Sequence, residues 1–228
     1  MRGPIFDLFD FIAGKVSLEY VVISLFSIFV IIFVCTPVHE CAHAAAAYWL
    51  GDDTAALQGR MTIYPLAHID PLGTLCMLLC RYGWGKPVPV KLYRCRKVSM
   101  RTANVLVSIA GPLSNFLMAL IFMIIYKIVG VAATPTDTMR YIVYGLYLIT
   151  QINTYLMLFN LIPVPPLDGY SLLERVLPRK AGIWIEEHAQ ILRIIFVALV
   201  VSSVLSVPLS YASDGVMWVL DKMTFFIR

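Results

Sequence analysis

The chain has 228 residues, of which 60% are hydrophobic and only 14% are Asp, Glu, Lys or Arg, with a mean hydropathy of +0.80. A soluble domain carries about a quarter charged residues to wet its surface, so an ordinary soluble fold is excluded. The formal charge of +4 is concentrated, because residues 60–101 hold eight Lys or Arg against one acid, Asp70. That stretch lies between apolar segments and contains no recognition element, which argues against nucleic-acid binding and for a cytoplasmic loop under the positive-inside rule.

In chain order, the first fifteen residues do not read as a removable signal, since Pro4, Asp7 and Asp10 interrupt the apolar run. Phe6, Leu8, Phe9, Phe11 and Ile12 suit a short interfacial helix. Residues 16–50 are expected to form a helix of about 50 Å, longer than the roughly 30 Å hydrocarbon core, with a kink at Thr36-Pro37. Residues 51–97 form a cytoplasmic or re-entrant region. Within it, 54–64 are expected to make a hairpin around Gln58-Gly59-Arg60, and Leu72–Cys80 is apolar but too short to span before Arg81. Lys86-Pro87-Val88-Pro89-Val90 forces an extended strap.

Residues 99–132 give the next span, interrupted by Gly111-Pro112 and Ser114-Asn115, and a loop at 133–139 leads to a third span at 141–162. A proline-rich segment (163–169) and an amphipathic helix (170–177) precede a fourth span at 191–209 and an interfacial tail at 210–228. The expected fold is therefore one all-α polytopic membrane domain over 1–228. It has four transmembrane helices, one or two short or re-entrant segments, and a small β-hairpin or extended element near the cytoplasmic face. Putting the basic loops 51–98 and 169–190 inside leaves the N-terminus outside. The five cysteines (35, 41, 76, 80 and 95) show no framework, and Cys76 and Cys80 lack the second pair that a zinc ribbon needs.

The chemistry is carried by His39-Glu40-Cys41-Ala42-His43. On a helix, residues four apart share a face, so both imidazoles can reach one Zn²⁺ while Glu40 stands beside it as a base. Ionisable groups inside an apolar helix are costly unless they have partners or a task. Two histidines leave such a metal one protein ligand short. Helix length puts His39 near the inner end of its span, and Asp168, just past the third span, falls at that same edge. Asp168 is therefore the candidate third ligand, aimed by Pro163, Pro165 and Pro166. Asn160 is a candidate for a substrate carbonyl or for a structural bond. His68 and Asp70 suit local loop bonds or a cover over the site, and Asn115 suits substrate contact or packing.

These motifs resemble the site-2 protease family of membrane zinc metallopeptidases (peptidase family M50), in its small prokaryotic form without a PDZ domain. The resemblance covers roughly Phe33 to Pro178. It includes Gly51-Asp52, Gly59-Arg60, His68-Ile69-Asp70-Pro71-Leu72-Gly73-Thr74, Gly83-Trp84-Gly85-Lys86-Pro87-Val88-Pro89-Val90, Ala110-Gly111-Pro112-Leu113-Ser114-Asn115 and the Asn160–Gly169 stretch. It implies His39, His43 and Asp168 as ligands of a single zinc, Glu40 as catalytic base, and no other cofactor. Tyr64, Lys91 and Cys41 depart from the family pattern without removing a ligand.

The expected function is zinc-dependent intramembrane endopeptidase activity on membrane-spanning or membrane-associated proteins, in a multi-pass cell-membrane protein with its site near the cytoplasmic side. Protein substrate and lipid are the expected partners, and composition neither requires nor excludes a homo-oligomer. The alternatives are a catalytically silent adaptor, against which Glu40 speaks, and a zinc transporter. A transporter needs a polar path through the outer halves of the spans, where Lys127 is the main polar exception.

Overall fold

The computed structural model describes residues 3–80, 83–132, 134, 136–202 and 204–227. Arg81, the side chain of Cys80 and part of the 133–139 loop lie outside the described residues, so the helix stop and the Cys76/Cys80 pair are not addressed by it. Helix α1 (Pro4–Ile12) docks on α2 (Leu18–Val30), where Ser24 Oγ donates to Asp7 Oδ2 at 2.6 Å. A π-helical turn, Ile31–Cys35, joins α2 to α3 (Thr36–Leu50). Pro37 has no N–H to donate, and the wide turn, closed by Thr36 N–H on Ile31 O, carries the helix past it. The result is one 33-residue apolar run, Leu18–Leu50.

Short helices α4 (Thr54–Leu57) and α5 (Pro71–Cys80) precede an irregular strap at 83–91 and the long α6 (Met100–Ala132). Helix α7 (Asp137–Asn160) starts where Thr136 Oγ1 accepts from Met139 N–H. Ala44 and Ala47 are fully buried on α3, so α6 packs against a face of small residues. Helices α8 (Gly169–Val176), α9 (Arg179–Glu187), α10 (Ala189–Val201) and α11 (Ser206–Met223) complete the described chain. Helix α11 packs on α6 through Met217 and Leu220 against Ala119 and Met123. Lys127, the polar exception in α6, donates to the carbonyls of Asp221 and Thr224 and pairs with the Asp221 carboxylate at 2.7 Å. It closes the end of α11 rather than opening a path.

Two expectations about the fold are corrected. First, among the described residues three helices rather than four are long and apolar enough to cross a membrane: Leu18–Leu50, Met100–Ala132 and Asp137–Asn160. The expected fourth span divides after Val201, and its first part, α10, has 13 residues and so covers only about 20 Å. Pro208 is the reason. It sits in the first turn of α11, where its missing N–H costs nothing, rather than near the end of a continuous helix.

Second, no strand occurs among the described residues. Residues 54–57 are helical because Asp52 Oδ1 accepts from Thr54 N–H and Oγ1, setting a turn that Ala55, Ala56 and Leu57 continue. Gly59, at φ 65°, ends that helix, with Arg60 N–H on Ala55 O, instead of forming a hairpin corner.

Candidate metal centre

One turn of α3 separates His39 from His43, and their Nε2 atoms lie 3.1 Å apart. Asp168, at the start of α8 after the proline-rich turn, brings Oδ2 to 3.4 Å from His39 Nε2 and 3.3 Å from His43 Nε2. A tetrahedral zinc with bonds of about 2.0–2.1 Å holds its ligand atoms about 3.3–3.4 Å apart, so these three edges match one zinc-sized cation. Asp168 Oδ2 is buried without a hydrogen-bond donor, as a metal-facing oxygen should be.

The far sides of the rings fix which nitrogen is free. His43 Nδ1 lies 2.7 Å from Val107 O, which can only accept, so the proton is on Nδ1 and Nε2 keeps its lone pair. His39 Nδ1 faces the buried amide of Asn115, 3.1 Å from Nδ2, while Asn115 Oδ1 has no partner. Turning that amide over gives Oδ1 the donor it lacks and places the His39 proton on Nδ1. We assign this orientation, because it leaves both Nε2 lone pairs on the Asp168 side. Gly111 on α6 permits the approach, since a Cβ there would collide with both imidazoles.

Glu40 is buried beside the histidines, and its Oε2 accepts from Val88 N–H of the strap at 3.1 Å. The strap is anchored by side chains that sequence reading did not single out. Arg60 donates to Lys86 O at 2.8 Å and Pro87 O at 3.1 Å, and Asp52 Oδ2 accepts from Lys91 N–H. Burial pushes the Asp52 carboxyl up, but hydrogen bonds from Thr54 and Lys91, with the Arg94 charge, hold it below the usual range. For Asp52, the Gly51-Asp52-x-Thr54 spacing is the signal available in the sequence.

His68 is not one of the donors that meet at the centre. Its Nε2 is 2.7 Å from Thr62 O, and its own carbonyl accepts from Lys86 N–H at 2.7 Å. Asp70 Oδ1 accepts from Gly73 N–H in the first turn of α5. Asn160 Nδ2 donates to Leu156 O at 2.9 Å, and the residue lines the cavity onto which the centre opens. That cavity has a volume of about 660 Å³, with Phe159, Val107, Phe196 and Val200 among its walls. Among the described residues, His39, His43 and Asp168 are the one group found with three metal-capable donor atoms together.

The family model described as peptidase family M50 matches residues 27–203. The Bacillus subtilis (strain 168) protein named "Putative zinc metalloprotease YwhC" is 44% identical over 146 residues, which is 61% of this chain and 64% of that protein. "Putative zinc metalloprotease Rip2" of Mycolicibacterium smegmatis is 27% identical over 140 residues, 60% of this chain and 51% of that protein. The matched region thus spans less than two thirds of the length of these curated relatives. No solved structure matches the chain. With three quarters of its length matched, the chain belongs to peptidase family M50.

Proposed function

We propose that residues 1–228 act as one membrane-embedded zinc endopeptidase, hydrolysing peptide bonds of membrane-spanning or membrane-associated proteins. The observation that carries this reading is the set of three donor atoms at tetrahedral spacing with the Glu40 carboxylate beside it, open to an apolar cavity. Zinc held by His39, His43 and Asp168 would supply a Lewis acid that polarises the scissile carbonyl and acidifies water. Glu40 takes the proton from the attacking water on its carboxylate and delivers it to the leaving amine. Val88 N–H fixes the direction of that carboxylate through Oε2. The apolar walls exclude bulk water and strengthen these charge interactions.

His39 and His43 stand on α3, which leads into the basic 51–98 segment, and Asp168 opens α8 beside the basic 169–190 segment, which supports a site near the cytoplasmic face. A substrate helix must unwind before its carbonyl reaches the centre. The strap gives such a peptide little to pair with, because Pro87 and Pro89 have no N–H and the amides of Lys86 and Val88 are already bonded to His68 O and Glu40. Backbone pairing with a substrate would fall to the Val90 N–H and the carbonyls beyond Pro87, beside the apolar cavity walls.

The test is hydrolysis of a model transmembrane peptide by purified, zinc-loaded protein beside Glu40→Gln. The variant is expected to retain zinc and to lose turnover by about 10² or more. Equal turnover by the two proteins refutes the assignment of Glu40.

A further inference from the structure

Helix α10 presents Arg193, Phe196, Val197 and Val200 to the cavity, at positions i, i+3, i+4 and i+7 of one helix face. Ile194, Ile195 and Leu199 on its other face are exposed, as is Val197. Arg193 thus stands on the cavity side of an otherwise apolar helix, and it has no ion-pair or hydrogen-bond partner among the described residues. Its side chain is exposed at the cavity wall, so the guanidinium is free to meet an anionic group on whatever enters.

The charges around it do not supply one. Among the described lining residues only Glu40, Asp168 and Arg193 are charged. Glu40 is bonded to the strap, and Asp168 faces the two imidazoles. A divalent ion on the three ligands offsets both carboxylates. Arg193 then leaves the cavity with one unbalanced positive charge, beside apolar walls that sharpen its field.

We propose that Arg193 is a specificity-determining residue that receives an acidic side chain, Asp or Glu, of the bound peptide close to the scissile bond. This rests on the reading of the cavity as the peptide site. Arg193 lines the same cavity as His39, Glu40, His43 and Asp168, so the acid falls within the stretch of peptide that this cavity holds. The planar guanidinium fork matches a carboxylate in bidentate geometry, which a lysine would not reproduce. A lipid phosphate is the weaker occupant. Arg193 lies on the face shared with Phe196 and Val200, and a headgroup seated there would fill the cavity that the substrate needs.

The test uses labelled model transmembrane peptides carrying one Glu at successive positions, each with Gln and Lys twins. Their binding is measured by fluorescence anisotropy on zinc-loaded Glu40→Gln protein in phosphatidylcholine nanodiscs, with and without phosphatidylglycerol. One or more Glu peptides are expected to bind about tenfold or more tighter than their Gln twins, with Lys twins weakest. Adding Arg193→Gln should erase this ranking, and Arg193→Glu should invert it in favour of Lys, with zinc content unchanged in both.

An unchanged ranking in Arg193→Glu overturns the proposal. So does an Arg193 effect that follows phosphatidylglycerol content rather than the peptide's charge, which would assign the residue to lipid. Binding selectivity without hydrolysis by the Glu40 protein would instead count against the peptidase reading, leaving the role of Arg193 in place.

Discussion

The α3 wall of the cavity buries His39, Glu40, His43, Ala44 and Ala47, whereas α10 on the other side buries only Phe196 among its described residues. It packs on the rest of the protein through that ring, 5.4 Å from Phe159, and through Val200 against the cluster of Tyr155, Phe159 and Leu209. On the metal side each ligand is fixed from behind by protein: Val107 O on His43, Asn115 on His39, and the proline turn behind Asp168. On the α10 side, most side chains have no protein packed over them among the described residues. The contrast separates two demands on one site. Metal geometry tolerates little error and sits on a rigid scaffold, while substrate selection is assigned to a thin wall that can adapt.

The sharpest way to break this contrast is to damage the rigid side at Gly111. Gly111→Val places a branched side chain against both imidazoles. It should lower zinc affinity by more than about 10²-fold, beyond the loss of an outer partner, and stability by about 1–3 kcal/mol. Chelator competition and thermal unfolding measure the two effects.

A smaller change tests the proton assignment on His39. Asn115→Leu removes the acceptor and should weaken zinc binding by about 10–100-fold, whereas Asn115→Asp, which keeps an acceptor oxygen, retains it. If the Leu variant binds zinc as well as the parent, Asn115 does not orient the ring. The smallest effect on the metal is expected from the thin wall itself. Phe196→Ala should leave zinc affinity unchanged and cost less than the roughly 3–5 kcal/mol of a core phenylalanine, because α10 is largely exposed. Coupled loss of zinc in Phe196→Ala would show that the two walls are not separate.

How far the sequence carries can be seen residue by residue. The shared face of His39 and His43 follows from a four-residue spacing, and the common depth of His39 and Asp168 follows from helix lengths. Both are local quantities, or sums of local quantities. Pro208 shows where such reading fails, since a proline ends one helix or begins another and hydropathy does not distinguish the two. Gly59 has the same ambiguity, because a left-handed residue serves a hairpin corner and a helix terminus equally well. The strap anchors Arg60 and Asp52 act over 26 and 39 positions along the chain, and nothing local marks them as partners of Lys86 and Lys91.

The π-helical turn at Ile31–Cys35 also sets a phase. It accommodates one residue more than a regular turn, and each residue of an α-helix advances about 100° around the axis. Were the turn shortened by one residue to a regular α-helical register, the α2 face that meets α7 would stay in place. The imidazoles would then swing about a quarter-turn off α6, away from Val107 and Asn115. The aim of the metal centre relative to the membrane anchor is thus encoded in a residue count, to which any amino-acid substitution that preserves length is blind.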